Sequence, residues 1–414
     1  MKKYILLILL CLFYPLCSNP SYASMPKGNI QLGIDVLVND YPELLKGKRV
    51  GLITNQSGVN GKLESMIDVM NSLSGVTVTA LFGPEHGIRG ALYAGEKVTT
   101  TTDEKTGIPV FSLYGKNHTP TPQMLEKVDV LVFDIQDIGS RTYTYVWTMT
   151  ESMKSAAAKG IPFVVLDRPN PINGLVVEGN IVQKGFESFI GKYPVAYCHG
   201  MTLGEMARMI NQEYAIHCDL KVIPMKGWHR WMNWKETGLQ WVPTSPHIPE
   251  ADTPWYYPTT GIFGELKTLN EGIGYTRPFK LAGSPYIDAE LLANELNSEN
   301  LPGVYFQPIY YQPFYGPQAS QYCQGVRIVI TDYTIYQPVN TGYYLLAAVQ
   351  RLFPKAIDWE GKAAKRWGSF DKANGTDQIR KALQQGKSAK EIIHSWQKEL
   401  DAFKLIRVKY LMYD

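Results

Sequence analysis

The sequence predicts an α/β protein built on a mainly parallel sheet covered by helices, with a second, smaller α+β part after it. Three observations carry that expectation. Apolar runs rich in Val, Ile, Leu and Phe recur through the first half, as strands buried on both faces should read. Each run is followed by a polar turn and then by apolar residues at helical spacing. Beyond residue 275 this alternation stops, and single strands and helices take its place.

The predicted strands are KRVGLIT (48–54), VTVTALF (76–82), VDVLVFDI (128–135), IPFVVLD (161–167) and LKVIPM (220–225). Between them, Leu63, Met66, Ile67, Met70 and Leu73 keep a helical period, as do Tyr143, Val146, Trp147, Thr150 and Met153. Thr202 and Glu205 form a capping box that opens another helix. Residues 226–260 hold five of the nine tryptophans and five prolines, and read as an irregular aromatic segment over the sheet edge. Flat indole faces suit the apolar faces of sugar rings, with His229, Arg230 and His247 in reach of hydroxyls. The alternative is a buried helical stripe of Trp228, Trp231 and Trp234. The smaller part follows with the extended VYFQPIYYQPFYGP, a strand at 323–331 and helices around 341–353, 376–385 and 388–403. The last of these opens on the capping box Ser388 to Glu391. This part forms the other wall of a cleft.

The N-terminus sets compartment and size. MKK precedes the apolar run YILLILLCLFYPLC and the small-x-small triplet Ser21-Tyr22-Ala23, the pattern of a secretory signal over residues 1–23. The 414 residues less those 23 leave 391 without a second long apolar run, so a secreted or periplasmic protein with no membrane span after cleavage is expected. Two domains are expected at that size, 24–270 and 271–414. The formal net charge of +3 falls to +1 without Lys2 and Lys3, and interspersed charges imply no nucleic-acid partner. The mature cysteines are Cys198, Cys218 and Cys323; Cys198 and Cys218 are the pair placed for one disulfide, which the fold does not require.

In parallel sheets ligands bind beyond the carboxyl ends of the strands. Those ends read TNQSG (54–58), GPEHG (83–87), DIQDIGSR (134–141) and DRPNP (167–171). They collect Asn55, Gln56, Glu85, His86, Asp134, Gln136, Asp137, Arg141, Asp167, Arg168 and Asn170 at one edge, with Arg89 just beyond.

Chemical requirements then remove whole classes. A dinucleotide site needs G-x-G-x-x-G after the first strand and a P-loop needs Gly-Lys-Ser/Thr; TNQSGVNG supplies neither. The G-x-S-x-G elbow of serine hydrolases is absent. Adjacent Glu85 and His86 do not share a helical face, no HExxH occurs, and neither a metal nor any other cofactor is expected. What remains is acid/base chemistry by carboxylates, of which glycoside cleavage is the leading exported example. Glu85 suits the general acid if Phe82 and the Gly-Pro turn desolvate it, with Asp134, Asp137 and Asp167 as partner carboxylates. An ion pair to Arg89 is its structural alternative.

The motifs GIDVL (33–37), GLITNQSGV (51–59), LFGPEHGIRG (81–90), FDIQDIGSRTYTY (133–145), VVLDRPNPING (164–174), HGMTLGE (199–205) and YLMY (410–413) run through nearly the whole mature chain. In that order they resemble the exo-acting β-N-acetylmuramidases, the NamZ or YbbC-like peptidoglycan hexosaminidases. The resemblance implies a Rossmann-like domain beside a smaller one, with the active site in the cleft between them. It also implies release of terminal β-1,4-linked N-acetylmuramic acid from the non-reducing end of peptidoglycan fragments, with Glu85 as the catalytic glutamate. Asp134 and Asp137 are then the candidate second catalytic groups. Asn55, Gln56, His86, Arg89, Gln136, Arg141, Asp167, Arg168, Asn170, His247 and Glu271 are the candidate substrate ligands. The chain departs from the family's pattern at His247, where Asn is usual, and at Ile273, where Arg is usual. A sugar- or muropeptide-binding protein without turnover is the second reading.

Overall fold

The computed structural model describes residues 30–90, 101–115 and 117–414. The expected signal at 1–23 lies outside them. The strands are β1 (Arg49–Thr54), β2 (Thr77–Gly83), β3 (Thr101–Thr102), β4 (Pro109–Ser112), β5 (Val130–Asp134), β6 (Phe163–Leu166), β7 (Glu178–Ile181), β8 (Ala196–Cys198), β9 (Leu220–Ile223), β10 (Leu281–Ser284), β11 (Val304–Tyr311) and β12 (Cys323–Ile330).

One seven-stranded sheet takes the order β3-β4-β2-β1-β5-β6-β9. All its pairings are parallel except the short β3 edge. Alternate residues of each strand enter opposite layers. Val50, Leu52, Val130 and Val132 join Ile34, Leu37, Met66 and Met70 on one face. Ile53, Leu131, Phe133 and Phe163 join Val146, Met149 and Met206 on the other. Each such buried side chain stabilises by roughly 1.5–3 kcal/mol, which explains why the strands read as continuous apolar runs.

From β1 the chain steps outward through β2 and β4, then returns to place β5 on the opposite side of β1. The loops leaving β1 and β5 therefore diverge, which opens a crevice at the carboxyl edge.

The three-stranded antiparallel sheet β10-β12-β11 carries the helix Ala289–Ser298, and the helix Pro338–Leu352 packs against that helix. A single apolar core runs from the first sheet into this part, joining Phe133 to Phe306 and Leu346. The chain then returns to the first sheet. The Tyr413 hydroxyl donates to Asp167 Oδ2 at 2.6 Å, and the Met412 N–H donates to Glu205 Oε1 at 2.8 Å.

Several expectations change. The period from Leu63 is a helix only over Met66–Ser72, and Leu63 is exposed. The three spaced tryptophans form no stripe, because Trp228 and Trp234 are buried while Trp231 is 41% exposed. The segment read as irregular ends in a regular helix, Thr253–Leu266, which tolerates Pro258 and buries Trp255. The helix expected at 388–403 is two, Ala389–Ser395 and Gln397–Arg407, meeting at Trp396. Cys198, Cys218 and Cys323 are buried and free, so the Cys198 to Cys218 bridge is not formed. Among the described residues no helix is long and apolar enough to cross a membrane.

Candidate active site

Glu85 follows β2 on the turn Pro84 to Gly87, where His86 takes φ of 71°. Only a few per cent of non-glycine residues adopt that region, so surrounding structure must hold the turn. The Glu85 carboxylate accepts the Thr144 hydroxyl at 2.9 Å. Tyr114, after β4, stands on another side of it; burial first, and then the Glu85 charge and a hydrogen bond to it, raise the Tyr114 phenol. Tyr145 also feels the Glu85 charge and anchors its own hydroxyl on the Thr244 carbonyl at 2.6 Å. Glu85 is half-buried and sits among hydroxyl donors at the carboxyl edge of the sheet.

The neighbouring loops close around it. Gln56 donates to the carbonyls of Pro243 and Thr244 at 2.8 and 3.0 Å, fastening the β1 loop to the aromatic segment. Tyr143 pairs its hydroxyl with Thr244 Oγ1 at 2.8 Å and packs edge-on against Tyr145. From the smaller part, Tyr315 reaches His247 Nε2 at 3.0 Å. Burial, and then the nearby His86, lower the His247 pKa. His86, His247 and Tyr315 thus bring the two walls together beside Glu85.

The β5 loop supplies Asp137. Its Oδ2 accepts the N–H of Gly139 at 2.8 Å, and burial pushes the carboxyl up to about 7 against that bond. Gly139 has φ of 81°, and an added Cβ would lie 2.3 Å from Asn170 Oδ1. Glycine is required there on both counts. Asn55 fixes its Oδ1 on the backbone and hydroxyl of Ser57, at 2.9 and 2.6 Å, leaving Nδ2 without a hydrogen-bond partner among the described residues. Gln136 fixes its amide on the carbonyls of Asp137 and Pro169, both at 2.8 Å.

Other sequence candidates belong to the frame instead. Asp134 is fully buried and bonded twice to Arg168, at 2.5 and 2.9 Å, while Arg168 also donates to the Val59 carbonyl at 2.6 Å. Asp167 accepts from Thr202, the Gly204 N–H and Tyr413, so its carboxylate anchors a helix start and the C-terminus; burial pushes it up to about 6. Arg141 is fully buried, donating to the Ala373 and Asn374 carbonyls at 3.1 and 3.4 Å. Asn170 donates to the Met201 carbonyl at 3.0 Å. Glu271 is buried against Gly264, and burial pushes it up to about 7. For the residues beyond the strand ends the reason is common: a charged or amide group there can serve the surrounding frame as readily as a ligand. Arg89 pairs with Asp103 at 2.6 Å but stays half-exposed.

Thr144, Tyr114, Tyr145, Tyr315 and His199 were not singled out from the sequence, and Tyr143 was read only as part of a helical apolar period. All except Tyr114 lie in stretches the sequence does flag, FDIQDIGSRTYTY, VYFQPIYYQPFYGP and HGMTLGE; nothing marks Tyr114. Among the described residues no three His, Cys, Asp or Glu side chains gather as a metal site.

Family models described as Exo-beta-N-acetylmuramidase NamZ, N-terminal and C-terminal, match residues 50–252 and 255–413. The chain is 45% identical over 387 residues to the Peptidoglycan beta-N-acetylmuramidase NamZ of Bacillus subtilis, covering 94% of this chain and 92% of that one. Two solved DUF1343 family proteins of Bacteroides fragilis share the fold: one at TM-score 0.89 and 42% identity, the other at 0.76 and 30%. Each comparison covers 93% of this chain and 99% of the solved one. With matched models spanning both parts of the chain and nearly half its residues identical to a curated member, the protein belongs to the exo-β-N-acetylmuramidase NamZ family.

Proposed function

We propose that this chain is an exported, cofactor-independent glycoside hydrolase that removes terminal β-1,4-linked N-acetylmuramic acid from the non-reducing end of peptidoglycan fragments during cell-wall turnover. The observation that carries the reading is Glu85, a carboxyl held by Thr144 at the carboxyl edge of a parallel sheet, where the two walls of the cleft approach. In this role Glu85 donates its proton to the glycosidic oxygen as the bond to the anomeric carbon breaks. Thr144 and Tyr114 fix its orientation, and the Tyr143 and Tyr145 rings exclude water from its flank. Asn55, Gln136, His86 and His247 are the substrate ligands this reading retains, and Gln56 holds the loop that carries Asn55. The signal at 1–23 and the division into 24–270 and 271–414 belong to the same proposal.

The lactyl carboxylate of muramic acid calls for a cation. Arg141 and Arg168 are buried in the frame and Ile273 carries no charge, which leaves half-exposed Arg89.

Incubation with a disaccharide bearing muramic acid at its non-reducing end, followed by mass spectrometry, tests the proposal. Free N-acetylmuramic acid is expected. Intact disaccharide with measurable binding would instead identify a receptor, and cleavage restricted to N-acetylglucosamine-terminated substrates would keep the enzyme class and remove the assigned sugar.

A further inference from the structure

Asp137 and His199 stand together beyond β5 and β8. His199 Nε2 lies 3.9 Å from Asp137 Oδ2, with side chains only 1% and 8% exposed. That separation is too long for a hydrogen bond. Asp137 Oδ2 is engaged by Gly139, whereas Asp137 Oδ1 and His199 Nε2 have no hydrogen-bond partner among the described residues.

The protonation pattern of the histidine follows from its surroundings. Its Nδ1 accepts the N–H of Met201 at 3.2 Å. Burial, followed by the Arg407 charge, lowers its pKa to about 3, so the ring is neutral. A neutral imidazole that accepts at Nδ1 carries its proton on Nε2. A fixed donor therefore stands beside an unpartnered carboxyl oxygen, both buried, and an unsatisfied buried group costs roughly 1–3 kcal/mol. The N–H and C=O of a trans amide point in opposite directions and cannot serve two such neighbours at once. A hydroxyl oxygen donates and accepts from one atom.

We infer that Asp137 and His199 together bind one hydroxyl oxygen during the reaction, which donates to Asp137 Oδ1 and accepts from His199 Nε2–H. The inference deepens the glycosidase proposed above and rests on it. The oxygen has two sources, a hydroxyl of the bound sugar or the attacking water. In the second case the water oxygen bonds to the anomeric carbon as its proton passes to Asp137. The glycosidic bond breaks toward the leaving oxygen, which takes the proton of Glu85.

The test combines a crystal structure with N-acetylmuramic acid bound and kinetics of Asp137→Asn, His199→Gln and His199→Phe on the disaccharide. If the source is the sugar, one of its hydroxyls lies about 3 Å from both atoms, and Asp137→Asn raises KM about tenfold with kcat less affected, as expected for a lost charged hydrogen bond. If the source is water, an ordered water occupies the position beside the sugar, and Asp137→Asn lowers kcat about a hundredfold or more with KM within about twofold. In both cases His199→Gln, which keeps an N–H donor, retains more activity than His199→Phe. Folded variants with unchanged kcat and KM overturn the inference, as does equal loss in the Gln and Phe variants. Absence of turnover by the wild type defeats the glycosidase reading itself. The pair is then judged by calorimetry with N-acetylmuramic acid, where equal affinity of wild type and Asp137→Asn overturns it and a tenfold loss upholds it.

Discussion

The Glu85 carboxylate accepts the Thr144 hydroxyl at 2.9 Å, joining the turn after β2 to the start of the helix Tyr145–Lys159. A side chain held in this way is positioned before substrate arrives. Glu85→Gln keeps the shape and can still accept from Thr144, but it carries no transferable proton. We expect kcat to fall on the order of a hundredfold or more, with melting temperature and substrate affinity nearly unchanged. Thr144→Val removes only the positioning bond and is expected to cost less, on the order of tenfold. A folded Glu85→Gln protein with wild-type kcat would take Glu85 out of the chemistry.

Arg89 forms an ion pair with Asp103, a partner not foreseen for it, and an anion-binding role and a structural one separate experimentally. As the anion-binding group, Arg89→Ala should raise KM about tenfold for a muramic-acid-terminated substrate and leave KM for an N-acetylglucosamine-terminated one unchanged. As a purely structural partner of Asp103, it should lower thermal stability and leave both KM values alone. Paired kinetics on the two substrates, with a melting curve, decide between these outcomes.

Asp134 and Arg168 form a pair with almost no solvent exposure. Removing one partner strands the other charge, at a cost of about 3–5 kcal/mol. Asp134→Ala and Arg168→Ala should therefore shift the urea midpoint strongly, with activity following the folded fraction. A well-folded Asp134→Asn variant without turnover would return Asp134 to the catalytic set.

The parallel sheet was legible because strands buried on both faces cannot conceal their composition, and the capping box of Thr202 and Glu205 marked a helix start to the residue. The carboxyl edge was legible for the same reason: once β1, β2, β5 and β6 are placed, so are their ends. What each strand-end residue does there was not. Asp134 ends β5 and Asp137 follows three positions later in its loop, yet one meets a guanidinium and the other does not, because Arg168 arrives from the end of the next strand. Such pairings depend on three-dimensional neighbours and leave no local signal. His199 illustrates the converse: its motif was visible, but its tautomer depends on the Met201 N–H.

Glu271 gives a prediction in pH. Its carboxyl is buried, and burial pushes its pKa up to about 7, whereas an unfolded glutamate titrates near 4.3. Between those values the folded protein keeps a proton that the unfolded chain has released, so stability falls as pH rises through the window. Below about pH 4 the contribution is fully present, and above about 7 it is lost, a change on the order of 3 kcal/mol. Glu271→Gln does not titrate. Relative to wild type, its melting temperature should therefore climb between pH 5 and about pH 7 and level off above that. Asp137, Asp167 and Glu178 are shifted in the same direction but titrate in both proteins, and they cancel in the difference. A difference in melting temperature that stays constant from pH 5 to pH 8 would mean that Glu271 is already ionised in the fold, with a cation or ligand reaching its Oε2.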